Sequence, residues 1–176
     1  MFHPELIARN DVSDRDVFLL SAPSISAVSS NLNLSSKYFG VLFACDAREI
    51  EDAIVYSLAR SLLADGMRYF CSWGRDCERV HDLVDDVIIE NVPDETEDSV
   101  IITMWFDEKS LDEALWQFLY VAFPAKVYEK ECQTELVLVI GNDEWARQIN
   151  ARLSDLTRLN RDVAGEDEDD VNGNVD

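Results

Sequence analysis

The stretch "YFGVLFACDAREIEDAIVYSLARSLLADGMRYFCSW", residues 38–73, decides the fold. It opens with eight residues, 38–45, that are apolar almost without interruption. That is the character of a strand covered on both faces. A helical pattern follows, with Ile50, Ile54, Leu58 and Leu62 recurring one turn apart and Ala53 beside them. This stripe is expected to face the core. Gly66 stands where a helix-terminating glycine belongs, and a second apolar run, 67–73, begins directly after it. Two buried strands joined by a helix form a parallel pair with a right-handed crossover.

The same alternation continues to the C-terminal side. "SVIITMWF" (99–106) and "ELVLVIG" (135–141) read as further strands. Val80, Val84, Val87 and Ile88 mark the second helix, and Leu111, Leu115, Phe118, Leu119 and Ala122 the third, which Pro124 stops. Trp145, Ile149, Leu153 and Leu156 mark the fourth. Asp46-Ala-Arg-Glu49 and Ser110-Leu-Asp-Glu113 have capping-box spacing. The repeated order of strand and helix predicts an α/β domain of three layers, α/β/α and Rossmann-like, with a four- or five-stranded, mainly parallel sheet.

Toward the N-terminus, "DVFLLS" (16–21) is a candidate fifth strand at an edge. "SAPSISAVSSNLNLSS" (21–36) reads as a loop or short helix, and "PDETED" (93–98) as a surface turn. The expected organisation is an N-terminal extension over 1–37 packing on the domain, the α/β domain over 38–164, and a disordered acidic tail over 165–176.

Charge is the strongest global signal. There are 36 acidic residues against 15 Lys and Arg, for a net charge of −21. The tail from Glu166 carries six acids and no base, and taking those away still leaves −15. Such a field repels nucleic acid and anionic membranes and attracts basic partners. No apolar run reaches the roughly 18 residues of a membrane span, and the N-terminus lacks the pattern of a signal peptide. The chain is therefore expected to be cytoplasmic, and its four cysteines to be free thiols.

Cys71, Cys77 and His81 stand in the spacing C-x5-C-x3-H. A zinc site would need a fourth ligand, and no C-x2-C knuckle is present. A thiol nucleophile at Cys77 with His81 as its base is a second reading. The third reading is favoured: Cys77 and His81 share the apolar stripe of the second helix, so both belong to the helix–sheet contact. No metal site is expected.

In open parallel sheets ligands bind beyond the carboxyl ends of the strands. Those ends carry Asp46, then Trp73, Arg75 and Asp76, then Asp107 and Glu108, then Asp143 and Glu144. No glycine-rich phosphate cradle follows any strand, so no nucleotide cofactor is expected. Arg75 and Lys109 read as almost the only bases on this rim. Two functional readings remain. The eight rim residues form a non-enzymatic partner-binding surface, anchored by Trp73 and Arg75. Alternatively, Asp46 and Asp107, with Asp143, hold Mg²⁺ for phosphoryl transfer or phosphate acceptance.

The run "YFGVLFACDAREIEDAIVYSLARSLLADGMRYFCSWGRDCERVHDLVDD", continued by "ITMWFDEKSLDEALWQFLYVAFP", resembles uncharacterised bacterial α/β proteins over residues 38–125. In its size and acidity the chain is similar to immunity proteins of toxin–immunity pairs, including partners of type VI secretion nucleases. That resemblance implies a toxin inhibitor whose partner is a basic protein, with a nuclease toxin as the most concrete case. It brings no catalytic residue with it. Pairing of the chain with a second copy of itself is left open.

Overall fold

The computed structural model describes residues 2–92, 96 and 98–171, with the backbone alone for 166–171. Six strands form one sheet: β1 (Glu5–Asn10), β2 (Arg15–Ala22), β3 (Tyr38–Cys45), β4 (Met67–Trp73), β5 (Ile102–Phe106) and β6 (Cys132–Ile140). Among the described residues, five α-helices accompany them: α1 (Asp52–Asp65), α2 (Cys77–Asn91), α3 (Leu111–Tyr120), α4 (Asp143–Leu153) and α5 (Leu156–Val171). The sheet order is β1-β2-β6-β3-β4-β5. Every neighbouring pair is parallel except β1 with β2, which is antiparallel.

The alternating side chains of the central strands define two cores. Phe39, Val41 and Phe43 of β3 face α1 and α2 together with Leu136 and Leu138 of β6. Leu42 and Ala44 face the other way with Val137 and Val139, against α3, α4 and α5. The expected three layers and mainly parallel sheet are present.

The strand count departs from the expected four or five. Residues 5–22 supply two strands of the same sheet, so the region expected to pack on the domain as an extension is built into it. β2 is internal, because β1 covers its outer side. The turn between them is closed by the Asn10 side-chain oxygen, which accepts from the amides of Val12 and Ser13. Outside the turn, Arg9 bridges Asp14 and Asp16 at 2.6 and 2.7 Å.

Helix boundaries follow the local chemistry. Ser110 forms the full capping box with Glu113. Gly66 terminates α1 in the left-handed region, its amide donating to Leu62 and Leu63. The pattern read as one fourth helix is two: α4 ends at Leu153, and Asp155 then accepts from the Arg158 amide to start α5. The α5 backbone continues to Val171, into the stretch expected to be disordered, whereas 172–176 lie outside the described residues. Most of the turn expected at 93–98 also lies outside them.

The α1 stripe is rotated from its expected position. Val55, Leu58, Ala59 and Leu62 are its buried residues, while Ile54 is 41% exposed and Ile50 only half-buried. Among the described residues no helix is long and apolar enough to cross a membrane.

Candidate functional site

The parallel strands β2, β6, β3, β4 and β5 all end on one edge, and the chain leaves β3 and β6 in opposite directions across the sheet. Such a switch point, where neighbouring connections diverge, is the habitual binding edge of open α/β sheets.

The eight rim residues all lie on this edge, but in different states. Asp46 does not cap α1, whose first residue is Asp52. Its carboxylate instead accepts a two-pronged contact from Arg48, at 2.8 and 2.7 Å. That contact, with Arg75 more distantly, holds the Asp46 carboxyl below the usual range. Asp76 sits at the start of α2 with a positive φ of 63° and accepts from Arg79 at 2.6 Å. Glu144 is paired with Arg147 and accepts from Gln148. Asp107, Glu108 and Asp143 are exposed and take part in no ion pair among the described residues. Arg75 is exposed, and its carbonyl accepts from the Ala47 amide at 2.9 Å.

The rim is thus less uniformly acidic than the sequence suggested. Arg48, Arg79 and Arg147 join Arg75 and Lys109, each neutralising a neighbouring acid. Arg79 does more than neutralise. It contacts Asp52 and Asp76 and donates to the carbonyls of Ala47 and Ile50 at 2.6 and 3.2 Å. One guanidinium therefore fixes the loop after β3 to the starts of α1 and α2. Beside it, Gly74 has φ 114°, and a Cβ there would stand 2.2 Å from the Cys45 carbonyl oxygen. No other residue fits that approach.

Trp73 is the centre of the arrangement. Its ring packs against Trp145 with centroids 4.7 Å apart. Its indole N–H donates to the Lys109 carbonyl at 2.8 Å. The turns after β4 and β5 and the first turn of α4 are tied together by one side chain. Asn142 caps α4 by accepting from the Trp145 amide at 3.0 Å.

Next to the rim, where β3 and β6 end, a cleft of about 710 Å³ opens. Cys45, Ile140 and Gly141 form its base. One wall is the rotated face of α1, and the other is the serine-rich segment 23–30.

Cys71, Cys77 and His81 do not converge. Cys71 points into the core shared with α3, α4 and α5, on the face of the sheet away from α2. Burial pushes the Cys77 thiol up, and the Cys45 and Cys132 thiols up to about 12. His81 is engaged on both ring nitrogens, 3.0 Å from Asp82 and 3.0 Å from the Thr103 hydroxyl, which donates to Asp85 at 2.6 Å. Trp105 of the edge strand packs on its ring, with centroids 4.6 Å apart. Among the described residues no group of three or more His, Cys, Asp or Glu is placed to hold a metal ion.

A buried polar cluster lies toward the opposite edge and was not anticipated. Glu135 is fully buried, with Arg15 at 3.3 Å, the Tyr69 hydroxyl at 3.3 Å and the Asn10 amide at 3.4 Å. Loss of hydration raises its pKa to about 7, against the opposing pull of Arg15. Arg15 also donates to the Cys132 carbonyl, so the cluster fastens the β1–β2 hairpin to β6. The Tyr69 ring occupies the space over Gly40, where a Cβ would fall 1.9 Å from it.

Fold and edge together define an open α/β protein with an acidic, tryptophan-centred rim. The profile of a domain family, Domain of unknown function (DUF7684), matches residues 19–156, from within β2 to the first residue of α5. The chain belongs to this family. No curated protein matches it.

Proposed function

We propose that the chain is a non-enzymatic binding protein that docks a basic protein on the carboxyl edge of its sheet. The most concrete form of this reading is an immunity protein that neutralises a nuclease toxin. The observation that carries it is the placement of Asp107, Glu108 and Asp143. These carboxylates have no ion partner among the described residues, and they stand on the two turns that Trp73 ties together. Charge free of internal ion partners is available for Lys and Arg of another molecule, although the Asp107 carboxylate accepts from the Glu108 amide at 3.0 Å. The tryptophan pair supplies the rigid aromatic anchor around which interface energy concentrates. The net charge of −21 would speed encounter with a basic partner, and local pairing would then set the lifetime of the complex.

The alternative, Mg²⁺-dependent phosphoryl transfer at Asp46 and Asp107, has less support. Asp46 is held by the Arg48 fork, and a cation would have to displace it. Calorimetric titration separates the two readings. The binding reading expects heat on addition of a basic candidate partner, such as a nuclease-like protein encoded in a neighbouring reading frame, reduced at higher ionic strength. Micromolar binding of Mg²⁺ or Mn²⁺ that disappears in Asp46→Asn would favour the phosphoryl reading instead.

A further inference from the structure

The cleft between α1 and segment 23–30 is not needed for docking at the tryptophan rim, and its lining has a chemistry of its own. Its volume of about 710 Å³ falls within the range of small-molecule sites. Ile54 of α1, Ile50 of the loop before it and Ile140 of β6 give it an apolar body. Exposure of Ile54 at 41% has no explanation in the core, which α1 fills with Val55, Leu58 and Leu62.

Three hydroxyls add to this. Ser57 and Ser61 lie one turn apart on the cleft wall of α1, and Ser30 lines the cleft from the other segment. None of the three side chains makes a hydrogen bond among the described residues, although serines elsewhere in the chain do, such as Ser72 and Ser154.

The charge of the lining is one-sided. It includes Asp46 and Glu49 and no Lys, Arg or His. Arg48 holds Asp46, whereas Glu49 is exposed and joins no hydrogen bond or ion pair among the described residues. A phosphate or carboxylate entering here would meet like charge and no donor cation. A neutral ligand would leave Glu49 answered only by the longer-range charge of Arg48.

We propose that this cleft binds a small organic cation, with an apolar body against Ile50, Ile54 and Ile140 and an ammonium or guanidinium head at Glu49. The serine hydroxyls then accept from the remaining N–H groups of the head or bind other polar groups of the ligand. The site does not depend on the partner reading, since it uses neither Trp73 nor the free acids of the rim.

A matched set of probes tests the charge rule and the location together. 4-Phenylbutylammonium, 4-phenylbutanol and 4-phenylbutyrate share one body and differ in head group. Each is titrated into ¹⁵N-labelled protein while amide shifts are followed. The ammonium should produce saturable shifts at Ile50, Ile54, Ser57 and Ile140. Its dissociation constant should be in the low-millimolar range that suits a ligand of about a dozen heavy atoms. The alcohol should bind at least about threefold and the carboxylate at least about tenfold more weakly, as expected when one exposed carboxylate is the discriminating charge. Glu49→Gln, an exposed change that leaves the fold intact, should bring the ammonium down to the level of the alcohol. Equal binding of the three probes, an unchanged ammonium affinity in Glu49→Gln, or shifts located away from the cleft would each overturn the proposal.

Discussion

The indole rings of Trp73 and Trp145 lie 4.7 Å apart at an interplanar angle of 58°, joining the end of β4 to the first turn of α4. The Trp73 N–H reaches the Lys109 carbonyl from the same position. Three turns of the carboxyl edge therefore share one half-buried side chain, and the free carboxylates on two of them are held at fixed separations.

Replacing Trp73 with Ala should separate those turns without unfolding the sheet. Loss of the ring pair and of its packing should cost about 2–3 kcal/mol of stability. Binding of a basic partner should weaken by at least about thirtyfold, as for a central aromatic anchor. Trp73→Phe should recover most of the stability, but not the tie to Lys109. Urea denaturation and binding on the same preparations distinguish the two effects.

Glu135 sets a pH dependence. Its folded pKa of about 7 lies above the ordinary glutamate value of 4.5. The folded state therefore holds a proton that the unfolded state has released between these limits. Stability from this group is fully present below about pH 4.5 and is lost as pH rises toward 7. Wild type should accordingly lose stability relative to Glu135→Gln across that window, by roughly 3 kcal/mol at most. The difference between the two proteins in urea midpoint at pH 5 and pH 8 is the readout. A difference that stays constant, or that moves in favour of wild type with rising pH, would contradict this account of the cluster.

Arg79 holds two carboxylates and two carbonyls from three segments. Arg79→Ala should release the loop 46–51 and cost about 1.5–3 kcal/mol, the scale of hydrogen bonds to a charged group in a partly buried setting. Amide exchange should accelerate at Ala47 and Ile50 and remain slow in β3. Arg79→Lys should rescue little, because a single ammonium cannot reproduce the fork.

The central βαβ order was legible because buried parallel strands are apolar throughout, and crossover helices carry a different period. β3 and β4 have the bounds that their runs suggested. The N-terminal hairpin was only half legible: residues 16–21 read as a candidate edge strand, whereas β2 is internal and β1 was not foreseen. β1 is a short, largely exposed edge strand of mixed polarity, and Arg15 at the start of β2 reads as a surface residue until Glu135 is placed beside it. Glu135 itself looked like the polar border of an apolar strand. Ile50, which lies in the loop before α1, and Ile54 continued the period of the helix so well that nothing in the sequence separated a core face from a cleft wall. The acids of the rim were identifiable as a group. Which of them were already held by Arg48, Arg79 or Arg147 depended on loop geometry that spacing does not encode.

The division of the rim into free and held acids gives the most direct test of the proposed function. The measurement is the dissociation rate of a basic nuclease-like candidate partner, sought in the neighbouring reading frames, from immobilised protein, for two charge-altered variants. One carries Lys at Asp107, Glu108 and Asp143, and the other carries Asn at Asp46 and Asp76. The account predicts that the first variant dissociates at least about tenfold faster than wild type, because the carboxylates removed are those available to a partner. The second should change dissociation by less than about threefold, because its acids already face arginines of the same chain. Failure of that candidate to bind at all, or faster release from the second variant than from the first, would contradict docking of a basic partner on this edge.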